Sequence, residues 1–181
     1  SVYGNANNGF EFANTLWALD GDNDAGETNL CSTTPTLYLA VVDPFELKAW
    51  ENDGPFSTKF DFGDYKHLTG TNYGGCRQHR TEGYFIFRQN SPLYLANLDT
   101  MINQHIPPGH DVILYTGRFA QYNNWNNLYP DLYNTLQNLG STQISPTNGN
   151  NPFIMFWQQG VPGSFQEIHG THPDDTLFFN D

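Results

Sequence analysis

Positive charge is what this sequence most lacks. Seven Lys and Arg stand against 19 Asp and Glu in 181 residues, a formal net charge of −12. Nucleic acid and anionic membrane both require clustered positive charge, so neither is expected as a partner. Long apolar runs are missing as well; no stretch reaches the ~18 residues of a membrane-spanning helix. Cysteine is scarce, with only Cys31 and Cys76. They form no C-x-x-C pair, which excludes a thioredoxin-type motif, and two thiols cannot build a zinc site alone. Glycine loops of the G-x-x-x-x-G-K-[ST] or G-x-G-x-x-G type are absent, and so is a G-x-S-x-G nucleophile elbow. Carboxylates are plentiful enough for a glycosidase pair. Nearly all of them, however, lie in Gly-, Asn- or Pro-rich turns, where acids usually serve solubility. No recognisable catalytic motif is left. No signal peptide is present either, and the chain begins at Ser1 without Met, which reads as a processed piece of something longer.

What is present is uncharged polarity and aromatic mass. The chain holds 14 Phe, 10 Tyr, 4 Trp, 17 Gly and 21 Asn. A disordered chain has few aromatics and many charges, so a folded domain is expected. At this length one core suffices, and no cofactor or metal is needed merely to hold it together. Little Lys with much Asn and Gly suits a secreted or cell-surface protein. In that setting Cys31 and Cys76 are expected to be bonded, closing a loop worth roughly 4 kcal/mol in the chain-entropy model.

The whole of residues 1–181 reads as a single domain. Residues 1–83 are turn-rich, with short strands at Gly9–Phe12 and Leu16–Leu19 and a long loop over 51–83. Thr36–Asp43 (TLYLAVVD) is apolar almost throughout and so is expected to be covered on both faces, with Pro44 ending it. Further strands are expected at Tyr84–Arg88, Asp111–Thr116, Phe153–Trp157 and Thr176–Phe179. Ser91 and Pro92 open a helix carrying Leu95, Leu98, Ile102 and Ile106 at helical spacing, stopped by Pro107-Pro108-Gly109. A second helix runs from about Tyr129 to Leu139 with Leu132, Leu136 and Leu139 as its stripe, and Gly140 follows as a natural C′ residue. Intermixed strands and helices indicate an α/β (α+β) fold, a mixed β-sheet sandwich with two or three packed helices.

Three clusters have the composition of a site. The acidic loop Asp20, Asp22, Asp24 and Glu27 alternates carboxylates as hard cations prefer. It fails as an EF-hand, because Ala25 stands at the sixth position and Cys31 at the twelfth. A solvated acidic turn is expected there, and a structural calcium is the one cofactor those residues would suit. His169 and His172, followed by Asp174 and Asp175, offer imidazole and carboxylate donors, but Gly170 and Pro173 exclude a zincin helix. The third cluster is Tyr122-Asn-Asn-Trp-Asn-Asn127. An indole flanked by amides in a loop is what stacking on a sugar ring requires. Trp125 is therefore expected to be exposed and to bind glycan together with Tyr122, Asn124, Asn126 and the nearby Arg118, while Trp157 is expected in the core.

From residue 84 to 168 the order of motifs is familiar. A strand precedes a helix with Leu98-Asp99-Thr100, then come Ile106-Pro-Pro-Gly-His-Asp-Val-Ile-Leu114, Leu139-Gly-Ser141, and Gly160-Val-Pro-Gly-Ser164 with Glu167. This resembles the interleukin-like EMT inducer domain, or GG domain, also found in large Bacteroidota surface proteins exported by the type IX secretion system. The chain departs from that pattern at Gln159, where a Lys usually stands, and in its long connection between the early strands. The resemblance implies a compact α/β sandwich without catalytic residues, extracellular or at the cell surface. It implies a binding or adhesion module, carbohydrate-binding in one branch. The alternative is a structural domain of a large surface protein or peptidase precursor, in contact with neighbouring domains and with no ligand of its own.

The disulfide expectation is checked by thiol titration under denaturing, non-reducing conditions. No free thiol should be found, and two would refute the bond.

Overall fold

A computed structural model describes residues 35–50, 85–117 and 120–179 and the backbone of 2–3, 8–12 and 15–20. Cys31, Cys76, Asp22, Asp24, Glu27 and Arg118 lie outside the described residues, and Asp20 is described as backbone only. The disulfide, calcium and Arg118 expectations therefore fall outside it.

Among the described residues the fold is α+β, with two antiparallel sheets and helices on one side of the larger one. Strands β1 (Val2–Tyr3), β2 (Asn8–Phe12) and β3 (Thr15–Asp20) form the smaller sheet, with the chain's last strand against β1. The larger sheet is built on β4 (Thr36–Asp43), whose eight residues TLYLAVVD are β-branched or apolar almost throughout. One edge of β4 is shared by β5 (Lys48–Ala49) and β6 (Phe85–Arg88). Its other edge pairs along its length with β7 (Asp111–Gly117), followed by β8 (Phe153–Gln158) and β9 (Gln166–His169). The final strand, β10, is Phe178–Phe179. Every described pairing is antiparallel.

Because side chains alternate across a strand, each strand of the larger sheet feeds two layers. Leu37, Leu39 and Val41 point to one core with Val112, Leu114, Phe153, Met155 and Trp157. Tyr38, Ala40 and Val42 point to the other with Ile113, Tyr115, Ile154, Leu177 and Phe179. The register sets Leu39 beside Leu114 and Leu114 beside Met155, while on the opposite face Tyr38 stacks on Tyr115 at 5.3 Å.

Three helices close the first core. Helix α1 (Pro92–Thr100) starts after Ser91 with Pro at its first position and passes into a π turn at Met101–His105. Leu95, Leu98, Met101, Ile102 and Ile106 are buried from it, as the spacing requires. Helix α2 (Trp125–Leu128) is a single turn, and α3 (Asp131–Leu139) carries the stripe Leu132, Tyr133 and Leu136. Helix α3 ends in a Schellman motif: the Ser141 amide donates to the Leu136 carbonyl and the Gly140 amide to that of Gln137. Gly140 has φ +132°, and a Cβ there would also meet Phe165 Cβ at 3.0 Å and its ring at 3.1 Å. Asp99 ties α1 to α3, accepting from the Thr135 hydroxyl, from Tyr129 Oη at 3.1 Å and from Asn103 Nδ2 at 2.8 Å.

Candidate functional site

The 120–127 segment corrects the expectation of an exposed indole. Trp125 and Tyr122 are both fully buried. Tyr122 precedes the single turn α2, Trp125 opens it, and Tyr129 is extended between α2 and α3, so the two rings are turned inward by a tight turn and not by one continuous helix face. Asn123, Asn124, Asn126 and Asn127 occupy the intervening positions and stand in water, with Asn127 Nδ2 donating to Asn124 Oδ1 at 2.7 Å. The Trp125 ring lies 5.5 Å from both Tyr122 and Tyr133. Its Nε1 donates to the Gln89 carbonyl at 3.1 Å, which satisfies the one polar atom that burial would otherwise strand.

Gln89 is the junction beneath this segment. Its side-chain nitrogen donates to the Thr36 carbonyl at 2.7 Å, and its side-chain oxygen accepts the Gln121 amide at 2.7 Å. The Tyr122 amide donates to the Gly149 carbonyl at 2.8 Å, and Tyr133 Oη donates to the Tyr122 carbonyl. Gly149 lies so close that a Cβ there would sit 2.2 Å from the Asn123 nitrogen. Burial raises the phenol pKa of Tyr122 far above its ordinary value and pushes that of Tyr133 up to about 12, so both stay neutral. Of the residues expected to bind ligand, Asn124 and Asn126 reach solvent, while the two rings serve as core.

The histidine cluster does not converge. The His169 side chain is 4% exposed and bonds the Glu167 carboxylate at 3.0 Å, whereas His172 is 67% exposed beside Asp174. Asp175 instead closes its own turn, accepting the Thr171 and His172 amides. Among the described residues no three His, Cys, Asp or Glu side chains meet as a metal site.

Glu167 is a heavily hydrogen-bonded acid. It accepts from Ser141 Oγ at 2.5 Å, the Thr142 amide at 2.7 Å, Thr142 Oγ1 at 2.9 Å and the Gln143 amide at 3.1 Å, besides His169. Burial pushes its pKa up, but these donors outweigh burial and hold it below the ordinary value. Burial holds His169 below its own ordinary value despite Glu167, so the imidazole is neutral at pH 7. Ser141 and His169 both bond the carboxylate that separates them, so no imidazole reaches the hydroxyl as it does in a Ser-His-Asp triad. The trio pins the 141–143 loop to β9.

One end of the larger sheet gathers exposed apolar residues. The β4–β5 turn, the segment leading into β7 and the β8–β9 loop all lie there, because β4 and β8 end where β7 begins. Phe45 is 83% exposed, Leu47 59% and Val161 42%, with Pro107, Pro108 and Pro162 also exposed. Backbone bonds lace the loops together, from the Gly109 amide to the Gln159 carbonyl and from the Gln159 amide to that of His110, each 2.8 Å. A Cβ on Gly109 would lie 3.7 Å from the Phe45 ring, and one on Gly160 3.3 Å from Pro108.

The turn at this end is held rigid. Asp43 Oδ1 accepts the Phe45 amide at 2.8 Å and the Glu46 amide at 3.1 Å, and Oδ2 faces His110 Nε2 at 3.6 Å. The Glu46 amide, then Phe45 and His110, hold the Asp43 carboxyl below its usual range against a smaller opposing effect of desolvation. Leu47 has φ +53°, a left-handed conformation that costs a branched residue about 1–2 kcal/mol. The signal in the sequence was Pro44-Phe45-Glu46-Leu47, two large apolar residues inside a turn, which alternation and helical periodicity both pass over.

No family model, curated protein or solved structure matches the chain.

Two measurements test these assignments. Trp125→Ala should destabilise the fold by about 3–5 kcal/mol in denaturant unfolding, because it empties a core site and strands the Gln89 carbonyl; an unchanged midpoint would contradict this. Glu167, with its folded pKa below the unfolded value near 4.5, contributes stability above that pH and loses it as pH falls through the folded pKa. Thermal unfolding of Glu167→Gln should therefore start lower at pH 7 and fall less between pH ~5 and ~3 than wild type; parallel curves would refute it.

Proposed function

We propose that the chain is a non-catalytic binding module of an extracellular or cell-surface protein, in keeping with its resemblance to the interleukin-like EMT inducer domain. Its contact surface is the apolar end around Phe45 and Leu47. The observation that carries the reading is the exposure of those two side chains, 83% and 59%, on a turn stiffened by Asp43. Large apolar groups grouped at one end of a domain mark contact sites far more often than scattered ones do. A rigid turn loses little freedom on binding, so more of the buried area becomes affinity.

Two half-buried acids support the same reading. Asp99 and Glu167 are each occupied by several donors, which suits struts better than general acids or bases. Glycan contact is a second reading, favoured by the exposed amides Asn123, Asn124, Asn126 and Asn127. It lacks the stacking plane that Trp125 was expected to supply. A polysaccharide bound by wild type and lost on Asn124→Ala/Asn126→Ala would put it first.

The leading reading is tested by selecting a displayed random-peptide library in parallel on wild type and on Phe45→Ser/Leu47→Ser. Wild type should enrich a peptide family that the variant does not retain, with the two melting temperatures equal. No enrichment, or equal retention by both, would remove the end from consideration.

A further inference from the structure

We infer that the Phe45–Leu47 end receives a polypeptide segment of particular chemistry: apolar side chains flanked by Lys or Arg. The inference rests on the contact-face reading above and adds the class of partner.

Charge decides it. Asp43, Glu46 and Asp111 border the end, and against them stands Lys48, which lies directly across from Asp43 in the strand register. The Asp43 charge is engaged by two amides and His110. Glu46 is exposed between Phe45 and Leu47. An acid between two exposed apolar groups favours a partner that places a cation beside its own apolar contacts, since charge complementarity sets both choice and encounter rate. The net charge of −12 acts in the same direction over a longer range.

The same charges disfavour the other occupants. A second copy meeting this end about a two-fold axis would bring two copies of the same acidic rim together and would add the repulsion of two strongly acidic chains. An anionic membrane is repelled for the same reason. The three loops cover the ends of β4, β7 and β8, adjacent strands about 4.8 Å apart, so the end is about 10 Å across. That is the width of one extended or helical segment, smaller than a face of a globular domain needs.

The test uses a short synthetic peptide in which Leu and Phe alternate with Lys, and a counterpart with every Lys replaced by Glu. Binding is followed by fluorescence anisotropy at low and high salt. The Lys peptide should bind wild type, about tenfold more weakly on Phe45→Ser, several-fold more weakly on Glu46→Lys, and more weakly at high salt. The Glu peptide should bind at least tenfold more weakly than the Lys peptide. Equal binding of the two peptides would overturn the partner class while leaving the contact face intact. Failure of both peptides would overturn it too, and the library selection then decides separately whether the end binds anything. Dimerisation of wild type that Phe45→Ser abolishes, seen by sedimentation, would assign the end to a second copy. Partition into phosphatidylcholine vesicles that the same substitution abolishes would assign it to lipid. Either result replaces the inference.

Discussion

Everything in this molecule follows from a strand that has no face to show to water. In β4, Leu37, Leu39 and Val41 project to one side and Tyr38, Ala40 and Val42 to the other, and all six are buried. Burying an aliphatic side chain is worth about 1.5–3 kcal/mol, and exposing either row would forfeit several such terms. One row is covered by the helices, and the other packs with Leu177 and Phe179 at the far end of the sequence. The two-layer architecture around the sheet is the consequence of a single apolar octapeptide.

The strands and long helices were legible because their signals are local. Thr36–Asp43 read as covered on both faces from its unbroken apolar run, and Pro92 with Leu95, Leu98 and Ile102 read as a helix from period and capping. Three features were not legible. Trp125 sat among four Asn residues, and composition pointed outward; the indole is buried instead because it packs between Tyr122 and Tyr133 with its Nε1 on the Gln89 carbonyl, a site completed by a residue distant in sequence. Strand β9 was hidden because Gln166-Glu-Ile-His169 is polar, its place in the sheet set by pairing with β8 and not by its own alternation. The Phe45–Leu47 end was missed because a turn has no period, and exposure there depends on three loops that are distant in sequence.

Polar groups inside the fold act as fasteners between elements. Asp99 links α1 to α3, Glu167 fixes the loop after α3 to β9, and Asp43 shapes the β4–β5 turn. Each carboxylate is surrounded by donors from turns or neighbouring side chains, which lets an acid-rich chain hold part of its charge within the structure at little cost. Such a scaffold leaves the remaining negative charge outside, where it sets which molecules approach and which are turned away.

The Gln89 junction also bears on how the chain folds. Its side chain bonds Thr36, 53 residues earlier, and its carbonyl receives the indole of Trp125, 36 residues later. The first bond ties the end of β6 to the start of β4, and the second seats the segment carrying Trp125 on that same residue. Closing such loops is entropically expensive before any contact repays it, and chains dominated by distant contacts fold slowly. Helix α3 is held by local bonds, whereas the turn that precedes it is anchored by a contact that closes a long loop. One side chain thereby couples the sheet edge at β4 and β6 to the aromatic cover of the helix-side core, so loosening either is felt by the other.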